Sequence, residues 1–149
     1  MTTRRRTFRS GCALLAMFAA LTMMATACGG GGRLSAREYV HQASAICRRA
    51  NRRVSRDSRP ARRAVVQADA AADLADLRPP GSLARFDAVW VALVKQSAAE
   101  LEALAVSHRA GNRAREDEQR AAVATLTARA AELARAQGID ACPQPFASA

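Results

Sequence analysis

The apolar positions of this chain follow two patterns, with a change between them near residue 32. From Gly11 to Ala27 no charged residue occurs, and Leu14, Leu15, Met17, Phe18, Leu21, Met23 and Met24 make the run apolar throughout. Further on, apolar residues recur three and four positions apart, the period of one face of a helix. Strand signals are nearly absent, with no alternating β-branched run and no Asn-Gly pair. The first helix opens near Ser35, with Glu38 three residues on in capping-box spacing. Val40, Ala43, Cys47, Ala50 and Val54 share one face of it, flanked by Tyr39 and Ile46. Asp57-Ser58-Arg59-Pro60 ends it, since proline fits a helix's first turn and not its interior. A second helix is predicted over 60–78, with Val66, Ala70, Leu74 and Leu77 inward, and Pro79-Pro80-Gly81 stops it. Ser82 is the expected N-cap of a third, over 83–110, lined by Phe86, Trp90, Leu93, Val94, Leu101 and Leu104. Gly111-Asn112 separates it from a fourth over 113–137, whose first turns hold Glu116, Asp117 and Glu118 where the dipole favours acids. Val123, Leu126, Ala130 and Leu133 form its face, and Gly138 before Ile139 reads as a glycine C-cap with its hydrophobic contact. Short loops between long helices force antiparallel neighbours. The expected fold is therefore all-α, an up-down-up-down four-helix bundle over 35–142 with a flexible tail over 143–149.

The apolar run before the bundle is a different object. Its 17 residues follow a basic head of Arg4, Arg5, Arg6 and Arg9, and a membrane span needs about 20. A signal-peptide core fits better. Ala25-Thr26-Ala27 leads directly to Cys28, a stretch that resembles the lipobox of bacterial lipoprotein signals. The resemblance implies removal of residues 1–27 and acylation of Cys28, with palmitate-like chains, as the first mature residue. Residues 28–34, with four glycines from Gly29 to Gly32, are then a flexible tether. The expected location is the extracytoplasmic face of the cell membrane, lipid-anchored. Arg5-Arg6-Thr7-Phe8 matches the twin-arginine export pattern only loosely, because Arg9 stands where an apolar residue is usual; the general secretory route is the default.

Removing the signal leaves 122 residues, enough for one domain. They hold 19 basic against 13 acidic side chains, and all but Lys95 of the basic ones are arginine. Alanine fills a quarter of that length. Such a mixture is what a GC-rich coding sequence writes, so part of the arginine excess is compositional. Cys12 leaves with the signal and Cys28 carries lipid, so Cys47 and Cys142 remain, in an oxidising setting that favours a disulfide. Closing a loop of that length stabilises a fold by roughly 4–5 kcal/mol in the chain-entropy model.

Candidate chemistry is sparse. His41 opens the first helix and His108 ends the third, which puts them at opposite ends of the bundle, some 30 Å apart or more at about 1.5 Å per residue. A metal or haem site is not expected, nor any cofactor: no methionine survives maturation, and Cys-x-x-Cys-His is missing. The carboxylates Glu100 and Glu102 fall on solvent faces, and the loops are too short to converge a nucleophile, a base and an orienting acid. The chain does not read as an enzyme. Its one concentrated feature is arginine: Arg48, Arg49, Arg52, Arg53 and Arg56 run along the first helix opposite Cys47 and Val54, followed by Arg59, Arg62 and Arg63. Aromatic interleaving for nucleic acid is missing, and the expected partners are the membrane, through the anchor, and anionic lipids or envelope polymers, with any protein partner unspecified. The alternative is a carrier of a small apolar ligand or haem, held in the bundle interior around Phe86 and Trp90.

Several short motifs recur in a known order. Ile46-Cys47-Arg48-Arg49-Ala50-Asn51, Leu74-Ala75-Asp76-Leu77-Arg78-Pro79-Pro80 with Phe86 after it, Ala110-Gly111-Asn112, and Gly138-Ile139-Asp140-Ala141-Cys142 resemble a group of small actinobacterial envelope lipoproteins. Those read I-C-x-x-A-N, L-x-x-L-x-P-P, A-x-G-D and a glycine shortly before a last cysteine. Asn112 stands in place of the usual Asp and caps a helix equally well. The resemblance spans nearly the whole mature chain. It implies the helical fold and a Cys47–Cys142 pair, and it implies no activity.

Overall fold

The computed structural model describes residues 32–57, 59–139 and 142. The signal segment 1–27, Cys28 and the tail 143–149 lie outside the described residues. Within them the protein is all-helical, with no strand: α1 Ala36–Val54, α2 Pro60–Ala75, α3 Ala84–Arg109 and α4 Arg113–Ala136, with one 3₁₀ turn at Gly81–Leu83 before α3. The expected four-helix bundle is the fold observed.

The ends of the helices explain the topology. Ser35 and Glu38 form a reciprocal capping box: the Ser35 hydroxyl accepts from the Glu38 amide at 3.3 Å, and the Glu38 carboxylate accepts from the Ser35 amide at 2.9 Å. At the α3–α4 turn, Gly111 takes a φ of +66°. Its amide donates to the His108 carbonyl, and the Asn112 amide to the Ser107 carbonyl. That is the paired hydrogen bonding of a Schellman close, and it leaves the last carbonyls of α3 satisfied. Asn112 then caps α4 by accepting from the Arg115 amide at 3.2 Å. One residue therefore finishes α3 and starts α4, which is why these two helices must run back to back. Gly138, with a φ of +76°, closes α4 in the same way, and Ile139 folds completely into the core.

Two expectations at the α2–α3 connection are corrected. Helix α2 stops at Ala75, three residues before the expected Arg78. Leu77 already bonds back to Leu74 in a tight turn, and Arg78, before a proline, is pushed out of the helical region. Ser82 is not the N-cap of α3. It sits inside the 3₁₀ turn, and Leu83 takes the cap position with no side-chain hydrogen bond.

Polar pairs mark the register of neighbouring helices. Arg53 meets Asp69 at 2.8 Å and Arg49 meets Asp73 at 3.9 Å, so α1 and α2 run antiparallel. Gln67 donates to Ser97 Oγ at 2.6 Å between α2 and α3. His108 Nδ1 lies 2.6 Å from Glu116 between α3 and α4. The first of these pairs puts Val54, the end of α1, level with residue 68, so the opening two turns of α2 extend past α1.

The core follows from that offset. Its main cluster holds Tyr39, Ala43, Ile46 and Cys47 of α1 with Leu74, Trp90, Val94, Ala130, Ala134 and Ile139. A smaller cluster of Ala64, Leu101, Leu104 and Val123 fills the other end without any residue of α1. Tyr39 and Ile46, expected at the flank of α1, are both buried as members of its core face. On α4 the buried line is Val123, Thr127, Ala130, Ala131 and Ala134, with Leu126 and Leu133 only half-buried beside it. Cys47 pairs with Cys142 in a disulfide, their Cα atoms 5.0 Å apart, which joins the segment after α4 to the middle of α1.

Candidate functional site

Each residue of an α-helix turns about 100° from the last, and that rotation sorts the arginines of α1 into two sets. Arg37, His41, Arg48 and Arg52 fall within about 60° of one another, directly opposite the buried Ala43 and Ile46, and all four are exposed. Arg49 and Arg53 lie further round, toward α2, where Asp73 and Asp69 pair with them. Arg56 follows the end of the helix and is exposed. Of the five arginines singled out in the sequence, Arg48, Arg52 and Arg56 are thus free of ion pairs among the described residues, while Arg49 and Arg53 hold α1 to α2.

Sequence reading missed Arg37 and His41 as members of the same stripe. The signal was present: positions 37, 41, 48 and 52 are separated by four, seven and four, the spacing of one helix face. The dense run from Arg48 onward masks it, because density along the chain does not give the angle at which each residue stands.

After α1 the charges are used locally. Asp57 accepts from the backbone amide of Arg59 at 3.1 Å and from its guanidinium at 2.7 Å. These hydrogen bonds pull the Asp57 carboxyl down to about 2. The turn leading to Pro60 is thereby fixed, and Arg59 is no longer an unpaired cation.

The aromatic residues proposed for a ligand chamber are packed together. Phe86 stacks on Trp90, ring centres 5.4 Å apart and planes 17° from parallel, and Tyr39 presents its edge to Phe86 at 6.5 Å. Trp90 and Tyr39 are both 0% exposed. The Tyr39 hydroxyl donates to Asp87 at 2.5 Å, and burial together with that carboxylate pushes the phenol well above its ordinary range. Trp90 Nε1 finds no hydrogen-bond partner among the described residues. An apolar ligand would enter here only by displacing rings already in contact.

His41 lies on the solvent face of α1 and His108 beside Glu116 at the far end of α3. Among the described residues no three of His, Cys, Asp and Glu are grouped as metal ligands would be. No described helix is long and apolar enough to cross a membrane. Compared with protein-family models, curated proteins and solved structures, the chain matches none.

Proposed function

We propose that this chain is a lipid-anchored, extracytoplasmic lipoprotein without catalytic activity, which lays the solvent face of α1 against an anionic surface. The observation that carries the reading is the stripe of Arg37, Arg48 and Arg52, with His41 among them, exposed and free of carboxylate partners on one face of one helix. With 19 basic against 13 acidic side chains after the signal segment, some cations must stay unpaired, and on α1 the unpaired ones gather on one face. Here the nearby acids Asp69 and Asp73 are drawn to Arg49 and Arg53 on the adjoining face, and the stripe is left bare. Lipid phosphates or phosphate-bearing envelope polymers suit it, each cation near such a surface contributing on the order of 1 kcal/mol.

The signal-like segment, Cys28 and the glycines after it supply the anchor in this reading, and the resemblance to small envelope lipoproteins agrees with it. The tether over 28–34 leads directly into α1, so the helix bearing the stripe is the first folded element after the anchor. Salt-dependent sedimentation of residues 33–149 with vesicles tests the surface. Binding to anionic vesicles at about 50 mM salt and release by about 300 mM is expected, as the Debye length shortens. Equal binding to zwitterionic vesicles would contradict it.

A further inference from the structure

A groove on the side of α2 and α3 has a volume of about 740 Å³ and is floored almost wholly by alanine. Ala61, Ala68 and Ala72 of α2 and Ala99 of α3 are exposed in it, and Val65, 50% exposed, stands among them. Four charges rim it: Asp76 and Lys95, Glu102 and Arg109. None of the four has an ion-pair partner among the described residues. Lys95 and Glu102 are seven residues apart on one helix, about 10 Å along the axis, too far to meet each other.

Their positions are self-complementary. A two-fold axis perpendicular to the helices, passing level with the midpoint of Ala98 and Ala99, turns Lys95 onto Glu102. The contact between Gln67 and Ser97 gives the corresponding level on α2: Asp76 stands opposite position 88 of α3. Position 88 and Arg109 have the same midpoint as Lys95 and Glu102. One axis therefore places Lys95 against the second copy's Glu102 and brings Asp76 level with the second copy's Arg109, diagonally across the seam. The same axis crosses α2 between Val65 and Val66, so the exposed Val65 would meet its own counterpart.

We infer that the α2–α3 groove is a homodimer interface, in which two copies pack antiparallel, α3 on α3, about a two-fold axis at Ala98–Ala99. Small residues let helix axes approach to the low end of the usual range of about 8–10 Å. An isologous contact of this kind doubles every favourable pair. The α1 stripe stays outside the seam, so the dimer would present two arginine faces.

The test is a charge swap in the full-length chain, purified in detergent and followed by sedimentation velocity and cross-linking mass spectrometry. The wild type is expected to dimerise between micromolar and submillimolar concentrations, with cross-links between copies at the groove. Lys95→Glu opposes like charges twice across the axis, as does Glu102→Lys, and each should weaken the dimer about tenfold or more. The double variant, Lys95→Glu with Glu102→Lys, re-forms both pairs and should recover the wild-type constant to within about threefold. Both substitutions are at exposed positions, and an unchanged helical circular dichroism signal shows that the fold is kept. A wild type monomeric throughout that range, or a double variant no tighter than the single ones, overturns the interface, as does detergent or lipid found filling the groove of a monomer.

Discussion

The hydroxyl of Tyr39, in the first turns of α1, donates to the carboxylate of Asp87, in the first turn of α3, across 2.5 Å of a half-buried boundary. This bond ties the starts of two parallel helices that share no loop. Tyr39→Phe should cost about 1–2 kcal/mol, since it leaves the carboxylate without its donor. It should also change the alkaline limb of stability. The phenol is raised in the folded state, so its contribution is complete below the unfolded value of about 10 and declines as pH rises beyond it. Urea unfolding between neutral pH and about pH 11 should show a fall in the wild type that is smaller in Tyr39→Phe.

The disulfide is the second prediction. Non-reducing mass spectrometry should yield a linked peptide containing Cys47 and Cys142. Replacing both by Ser should lower stability by up to roughly 4–5 kcal/mol, with the helical signal retained in what remains folded. Two free thiols in protein refolded under oxidising conditions would contradict the pairing.

Trp90 gives a contrast between two substitutions. Trp90→Ala opens a cavity in the main cluster and should cost about 3–5 kcal/mol. Trp90→Phe keeps a ring against Phe86 and removes an N–H that has no partner, so its cost should stay below about 2 kcal/mol. Thermal melts of the two variants decide it, and the single tryptophan of the wild type should emit as a buried indole.

Much of this fold was legible because local chemistry and tertiary packing agree. Ser35 with Glu38, Gly111 with Asn112, and Gly138 with Ile139 each fix a helix end through backbone bonds made by near neighbours. The boundary at Ala75 and the 3₁₀ turn after it were not legible, since both depend on how two prolines steer the chain toward α3. The full burial of Tyr39 was not legible for a similar reason: Asp87 and Phe86 draw it inward, which its own sequence neighbours do not announce. The α2–α3 groove was hidden by composition. With alanine at a quarter of the mature chain, the spacing of Ala61, Ala68, Ala72 and Ala75 does not stand out from its background.

The anchor rests on residues before the described domain, and its test is chemical. Cells fed a clickable fatty acid should label the wild type and leave Cys28→Ala unlabelled. Equal labelling of the two would remove the anchor.

The most direct measurement of the proposed role compares two arginine variants of residues 33–149 for binding to anionic vesicles at low salt. Arg37→Gln with Arg48→Gln and Arg52→Gln strips the bare stripe and should lose roughly 3 kcal/mol of surface attraction, a hundredfold or more in partitioning. Arg49→Gln with Arg53→Gln removes as many as two charges but only those already paired with Asp73 and Asp69; it should loosen α1 slightly and bind nearly as wild type. If the two variants lose binding in proportion to charge alone, or if the stripe variant binds as well as wild type, the face of α1 is not the surface by which this protein meets its partner.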